Sequence, residues 1–125
     1  MTKQEWNREF WTRCGAKEGS CGCWWLGSVW VYSYIDGRWS DPADCDLEIL
    51  LDVLEQLALE RDCYISVLLI PISRRYEVHV ISRLTAAENY YVGDPMKESA
   101  IYNRKAAVIA AICKLIGLEM EADHD

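Results

Sequence analysis

The strongest structural signal in the chain is the stretch DPADCDLEILLDVLEQLALE, residues 41–60. Asp41 fits a helix N-cap, Pro42 fits the first helical position, and Asp44 stands where a capping-box acid is expected. Apolar residues then recur at helical spacing: Leu47, Leu50, Leu51, Leu54, Leu57 and Ala58. The pattern predicts one long helix that runs to about Glu60 and buries its leucines.

The region in front of this helix contains every tryptophan of the chain: Trp6, Trp11, Trp24, Trp25, Trp30 and Trp39. It begins with a capping box, in which Thr2 caps a short helix and Glu5 stands three residues later. Gly15 fits the end of that helix. Residues 15–23 are rich in Gly and Cys, and they predict a loop.

Residues 24–35 predict a single strand whose side chains alternate between two faces. The aromatic residues Trp30, Tyr32 and Tyr34 share one face, and valine and isoleucine side chains share the other. Asp36-Gly37 then fits a two-residue hairpin turn, because both residues tolerate positive φ. Only two residues remain for a return strand before the long helix.

The chain behind the long helix predicts a β-hairpin and a short strand. Residues 63–72 are almost all apolar, so both faces of this strand are expected to be covered. A turn at Ser73-Arg74 leads to a return strand over residues 76–82. A further strand fits residues 89–92, and Gly93-Asp94-Pro95 fits its end.

A closing helix is predicted from an Asn103 cap through Ile116, with Gly117 at its end. The order of elements indicates an α+β fold, with helices on both sides of an antiparallel sheet as in an α/β/α sandwich. A single domain is expected over residues 1–125. It comprises a Trp-rich part at 1–40, a helix–hairpin–strand–helix part at 41–118 and an acidic tail at 119–125.

The composition restricts the classes of partner. The chain has 125 residues and a net charge of −7. An acidic protein disfavours direct binding to nucleic acid or to anionic membranes, and it favours basic partners. The N-terminus shows no basic-then-apolar signal pattern, and the apolar stretches are too short to span a bilayer. We therefore expect a cytoplasmic protein whose six cysteines are reduced.

Residues 41–62 hold eight carboxylates and one base, Arg61. Glu48, Asp52 and Glu55 fall on the outer face of the predicted helix, and Asp44 precedes them. Like charges four residues apart, such as Glu48 and Asp52, cost a helix roughly a few tenths of a kcal/mol. A surface kept at that cost indicates a docking site for a basic protein, with these four carboxylates as the contact residues. The alternative is a solvated helix face that binds nothing.

A second candidate site is the aromatic group Trp24, Trp25, Trp30, Tyr32 and Tyr34. Its simplest role is packing in the core. The alternatives are a stacking platform for a nucleotide or a sugar, or an anchor in a protein interface. The sequence places no Gly-rich phosphate loop beside this group.

The cysteines offer one metal alternative, a structural zinc held by Cys14, Cys21, Cys23 and Cys45. Thiolates suit zinc, but its ligand pairs are usually separated by two to four residues, and only Gly22 separates Cys21 from Cys23. Reduced structural thiols explain the pattern better. We therefore expect no metal and no other cofactor.

The sequence shows no catalytic signature, so we expect a protein that acts by binding and not an enzyme. Cys63 and His79 could meet across neighbouring strands as a nucleophile and its base, but isolated residues of these types in a sheet are mostly packing residues. The basic cluster of Arg74, Arg75 and Arg83 is too small to hold nucleic acid against the overall negative field.

Three places in the chain resemble the phage ABA sandwich domain family, a group of small bacteriophage and prophage proteins. They are the N-terminal helix ending near Trp11 and Gly15, the Ser40-Asp41 start of the leucine-rich helix with its strand pair, and the closing helix with Ala111-Ile112-Cys113-Lys114 and Gly117. The resemblance spans most of the chain. The loop with Cys21 and Cys23 and the Ser73-Arg74-Arg75 turn depart from it.

The resemblance implies helix–sheet–helix layering and a phage accessory role, and it carries over no catalytic residues. Together with the acidic helix it suggests an anti-CRISPR-like inhibitor in the host cytoplasm. Such a protein would present carboxylates to a basic host protein, such as a nucleic-acid-binding nuclease complex, in place of phosphates. The alternatives are a protein that sequesters a nucleotide and a structural or regulatory phage factor.

Overall fold

A computed structural model describes residues 1–70, 75–83, 88–92 and 100–120. The helices of these residues are separated by runs of strands, in the order α1 (Lys3–Arg13), β1 (Lys17–Glu18), β2 (Trp24–Leu26), β3 (Val29–Ser33), β4 (Arg38–Trp39), α2 (Leu47–Glu60), β5 (Cys63–Ile70), β6 (Arg75–Ser82), β7 (Glu88–Val92) and α3 (Ala100–Ile116). The strands form two antiparallel sheets, β1–β4 and β5–β7. The predicted α+β class is confirmed.

Helix α1 begins with the predicted capping box. The backbone N–H of Glu5 donates to Thr2 Oγ1, and the backbone N–H of Thr2 donates to Glu5 Oε2, each over 3.1 Å. The helix ends before Gly15, whose φ of +104° is easily adopted only by glycine. Its inner face buries Trp6, Phe10 and Trp11, so α1 contributes large aromatic side chains to the core.

The first sheet differs from its prediction in three places. Residues 24–35 form a hairpin, β2 and β3, because Gly27 turns the chain with a φ of +61°. Residues 17 and 18, expected in a loop, pair with β2 as strand β1. The short return strand β4 is confirmed. The predicted two-residue Asp36-Gly37 turn is wrong, because Ser33 pairs with Arg38 and residues 34–37 form the turn. Within it only Gly37 has a positive φ, of +64°.

The leucine-rich helix α2 begins at Leu47, later than predicted. Asp41 does cap, but its Oδ1 accepts from the N–H of Ala43 over 3.0 Å and starts only a one-turn 3-10 helix, Pro42–Asp44. The Ala43 carbonyl accepts from Lys105 Nζ of α3 over 3.2 Å, and Cys45 is extended with a ψ of 150°. The helical conformation is therefore interrupted at Cys45, before α2 begins, and Asp44 lies outside α2. The predicted end at Glu60 is confirmed.

Helices α2 and α3 pack on one face of the second sheet. The register pairs Ile65 with Val80 and Val67 with Val78, so these side chains share a face. Val78 and Val80 are buried in the core that α2 and α3 complete. The opposite face exposes Tyr64 at 60%. The expectation that both faces of β5 are covered is therefore wrong, because Tyr64, Ser66 and Leu68 on its outer side are exposed.

Helix α3 spans Ala100–Ile116, so Asn103 lies inside it and does not cap it. Gly117 follows with a φ of +71°, which confirms the predicted end. The core joins residues from α1, β3, α2, β6 and α3, on both sides of position 40. The predicted turns at residues 73–74 and 93–95, and residues 121–125 of the acidic tail, lie outside the described residues.

Candidate functional site

The outer face of α2 carries three exposed carboxylates, those of Glu48, Asp52 and Glu55. At a rise of about 1.5 Å per residue, these positions are about 6 Å and then about 4.5 Å apart along the helix axis. Asp44 is also exposed, but it lies in the preceding 3-10 turn. We call Glu48, Asp52 and Glu55 the carboxylate ridge.

The acids of this region divide into paired and unpaired groups. Asp41 contacts Lys3 Nζ at 3.3 Å, Glu60 contacts Arg61 at 3.6 Å, and Asp62 contacts Arg83 at 3.8 Å. Among the ion pairs of the described residues, none includes Asp44 or a member of the carboxylate ridge. The ridge therefore projects negative charge into solvent, and no cation of the described residues forms an ion pair with it.

Two grooves flank the ridge, and both are lined largely by apolar side chains. One, of about 370 Å³, lies between α2 and the β2–β3 turn, with Asp52 at its edge. The other, of about 510 Å³, lies between α2 and β5, with Glu55 at its edge. The second groove is lined by Leu51, Leu54, Glu55, Ala58, Leu59, Cys63, Tyr64, Ile65 and Val67.

Exposed apolar side chains surround the second groove. Leu59 is 74% exposed, and Val67 is 43% exposed. Contiguous exposed apolar residues next to a polar rim are typical of interaction surfaces. Sequence reasoning missed this groove, because the leucine pattern gave no sign that α2 leaves part of its inner edge open beside an edge strand.

The candidate aromatic residues are not joined in a single platform, and their ring contacts fall into two groups. Trp25 and Trp30 stack with their centroids 5.5 Å apart and their planes 9° apart, and both are exposed. Trp24 and Tyr32 each contact Trp39, with centroids 5.5 Å and 4.8 Å away. The register shift between Trp24 and Trp25 accompanies this division.

The second group is half-buried and lies between the core and a cleft. Trp24 and Trp39 pack against the core.

The fifth candidate, Tyr34, is 58% exposed, so the five aromatic residues selected from the sequence include both packing and surface side chains. A cleft of about 740 Å³ opens beside them, lined by Trp30, Tyr32, Ser33, Ile35, Asp36, Arg38, Trp39 and Ser40.

The cysteines selected for the zinc alternative do not converge. Cys14 lies at the end of α1 near Cys113 of α3, where burial raises the pKa of each thiol to about 12. Cys45 lies near Lys105, and burial raises the pKa of its thiol. Within the described residues, no group of three or more His, Cys, Asp or Glu side chains could hold a metal ion.

The strand register also separates Cys63 from His79. Cys63 pairs with Ser82, and His79 pairs with Ser66, three positions further along β5. An odd separation places Cys63 and His79 on opposite faces of the sheet, so the proposed nucleophile and base do not meet. Of the basic cluster, Arg83 contacts Asp62, Arg74 lies outside the described residues, and Arg75 is described only as part of β6.

Comparisons of the chain with models of protein families, with curated proteins and with solved structures give no significant match. Among the described helices, none has the length and apolar character that crossing a membrane requires.

Proposed function

We propose that this protein binds a basic surface of a host protein through the carboxylate ridge and so inhibits it. The observation that carries the proposal is the row of exposed carboxylates on α2, which have no ion-pair partner among the described residues. Their positions follow one another about 5 Å apart along the helix axis, a wider axial spacing than the 3.4 Å of phosphates along one DNA strand but of the same sign of charge. A protein groove that holds nucleic acid would therefore attract them.

Charge alone does not supply a specific complex. An exposed ion pair contributes about 0–1 kcal/mol, so three such pairs contribute at most about 3 kcal/mol. A micromolar complex requires about 8 kcal/mol. The remaining free energy has to come from apolar burial, and the groove between α2 and β5 offers Leu59 and Val67 for it. The partner would then place basic side chains on the ridge and an apolar side chain in the groove.

The biological setting we propose is that of a phage accessory protein of the phage ABA sandwich type, acting in the host cytoplasm. The described order of a capped helix, a leucine-rich helix, a strand pair and a closing helix is compatible with that family. A nucleic-acid-targeting defence complex, as for an anti-CRISPR-like inhibitor, is the partner class that the ridge fits best. A structural or regulatory phage role would use the same surface on another basic protein.

The test reverses the ridge and compares it with a charge-matched control. The ridge variant carries Glu48→Lys, Asp52→Lys and Glu55→Lys. The control carries Glu18→Lys, Asp36→Lys and Glu119→Lys at exposed positions elsewhere. Both variants change the net charge by the same amount, so only the location of the charge differs between them.

Each protein is immobilised and exposed to host lysate at low and at high salt, after its folding has been checked by thermal melting. We expect the wild type and the control to capture the same basic proteins at low salt, and the ridge variant to lose them. Capture should weaken as salt rises, since the Debye length shrinks from about 10 Å at 0.1 M to about 3 Å at 1 M. Equal loss in both variants would show that net charge acts without the ridge, and retention by the ridge variant would refute the proposal.

One observation favours a second candidate function, the binding of a nucleotide. The cleft beside the first sheet combines aromatic side chains, Trp30, Tyr32 and Trp39, with the cation of Arg38. Aromatic faces stack on bases at about 1–3 kcal/mol each, and a guanidinium binds phosphate. A thermal-shift screen against nucleotides tests this function. A shift that Trp30→Ala and Arg38→Ala both abolish would support it, and unchanged melting across all nucleotides would rule it out.

A further inference from the structure

The loop in front of β2 holds two cysteines, Cys21 and Cys23, on either side of a glycine. The backbone N–H of Gly19 donates to the Cys23 carbonyl over 2.7 Å, and that of Gly22 donates to the Gly19 carbonyl over 3.2 Å. Gly22 has a φ of +82°. The Trp25 ring covers Gly19 so closely that a methyl group there would lie 3.4 Å from its atoms. The loop is therefore a closed turn that holds the two cysteines in fixed positions.

The spacing of these residues suits a disulfide. Cα atoms two residues apart are separated by at most about 7 Å in an extended chain, and by less in a turn. A disulfide requires a Cα separation of about 4.4–6.8 Å. Both cysteines are free thiols, so a bond between them would not require an existing disulfide to break.

The two thiols differ in the way that a nucleophile and its resolving partner differ. Cys21 is exposed, whereas Cys23 is only 2% exposed. The backbone N–H and then the side chain of Cys23 hydrogen-bond to the Cys21 thiol and lower its pKa from its usual value. A more acidic, accessible thiol attacks disulfides faster at neutral pH, and a covered thiol beside it can react only with what the first has captured.

We propose that Cys21 and Cys23 form a redox-active dithiol whose substrates are low-molecular-mass disulfides such as oxidised glutathione. The Cys21 thiolate attacks one sulfur of the substrate, so that a mixed disulfide forms, the substrate S–S bond breaks and one thiolate leaves. The Cys23 thiol then loses its proton and attacks the Cys21 sulfur, which forms the Cys21–Cys23 bond and releases the second thiolate. The dithiol is oxidised by two electrons, and one substrate disulfide becomes two thiols that take up the two protons.

The other cysteines provide internal references for this chemistry. Cys14 and Cys113 have pKa values raised to about 12 by burial, so they carry almost no thiolate at neutral pH. Cys45 is half-buried, and burial raises the pKa of its thiol as well. Reaction should therefore be faster at Cys21 than at Cys14, Cys45 or Cys113.

The experiment incubates the reduced full-length protein with oxidised glutathione, blocks remaining thiols with an alkylating agent and maps the cysteines by peptide mass spectrometry. In the wild type we expect a Cys21–Cys23 disulfide and no lasting adduct. Cys23→Ala should hold one glutathionyl group on Cys21, Cys21→Ser should give neither product, and the control Cys45→Ser should behave as the wild type.

A second measurement tests whether the fold promotes the Cys21–Cys23 disulfide, and it can be made even if Cys23→Ala does not fold. The rate of Cys21–Cys23 bond formation is compared in the folded wild type and in the same chain in urea. Because the turn fixes both thiols, we expect the folded protein to close its disulfide several-fold faster. A lasting glutathione adduct on wild-type Cys21, preferential reaction at Cys45, or a rate no faster than that of the unfolded chain would overturn the proposal.

Discussion

Helices α1 and α2 both carry acidic side chains, but among the described residues α1 engages both of its acids, whereas α2 engages only Glu60 at its end, which contacts Arg61. In α1, Glu5 accepts from the Thr2 backbone at 3.1 Å, and Glu9 pairs with Arg13, one turn further along, at 3.1 Å. Asp52 in α2 has an acid one turn before it, Glu48, and no ion-pair partner among the described residues. The acids of α1 contribute to stability, whereas the carboxylate ridge of α2 remains available to a partner.

The apolar faces of the two helices show the same division of roles. Trp6 and Trp11 of α1 are buried, and their indole N–H groups donate to the backbone carbonyls of Glu119 and Ser40 over 2.9 Å and 2.7 Å. Helix α2 also buries leucines, but it leaves Leu59 exposed beside a groove. Helix α1 thus ties distant segments together, and α2 divides its surface between the core and solvent.

The largest predicted effect tests the role of α1 in the core. Trp11→Ala should lower the free energy of unfolding by about 3–5 kcal/mol, because it leaves a cavity and removes the hydrogen bond to Ser40. The matched control is Trp30→Ala, whose ring is 48% exposed, so its cost should be about 1 kcal/mol. Denaturant titrations measure both values. Similar losses in the two variants would contradict the assignment of Trp30 to the surface.

A smaller effect should separate the caps of the two helices. Thr2 accepts a hydrogen bond from Glu5, whereas Asp46, the N-cap of α2, makes no side-chain capping bond. Thr2→Ala should therefore cost about 1 kcal/mol. Asp46→Ala should cost less, since it removes only the interaction of a charge with the helix dipole, about 0.3–1 kcal/mol. Urea titrations of the two variants give the comparison, and a larger loss for Asp46→Ala would reverse it.

The parts of the fold that the sequence predicted are those that local interactions determine. The Thr2–Glu5 capping box, the glycines that follow α1 and α3, and the alternation in β6 depend on neighbours within a few residues, and all are present. The start of α2 was predicted wrongly because Lys105 of α3 donates a hydrogen bond to the Ala43 carbonyl, which an uninterrupted helix would use for its own backbone. A contact between positions 62 residues apart has no counterpart in helix periodicity.

The candidate site was predictable to the same extent. Helical spacing placed Glu48, Asp52 and Glu55 on one exposed face, as the structure has them, whereas Asp44 was assigned to the same helix and lies outside it. The division of the aromatic residues depends on Gly27 and on a register shift within the hairpin, which strand alternation does not reveal. The grooves beside α2 depend on tertiary packing and could not be predicted from its sequence.

The smallest predicted effect is also the most direct test of the comparison between the two helices, because it predicts opposite signs for similar changes. Glu9→Gln breaks the ion pair with Arg13 and should destabilise the protein by about 0.3–0.5 kcal/mol. Asp52→Asn removes the like charge between Glu48 and Glu55 and should stabilise it by roughly a few tenths of a kcal/mol. Asp52 is a better choice than Glu48, which lies in the first turn of α2, where a negative charge also gains from the helix dipole.

Thermal melts and denaturant titrations of Glu9→Gln and Asp52→Asn at low salt show whether each change raises or lowers the free energy of unfolding. Both changes in stability should shrink in 1 M salt, where the Debye length is about 3 Å. Destabilisation by Asp52→Asn would mean that its carboxylate has a favourable interaction within the fold, which would remove the basis for regarding the ridge as a surface kept for a partner. Stabilisation by Asp52→Asn, combined with weaker capture of basic host proteins, would show that the charge on α2 costs stability and serves binding.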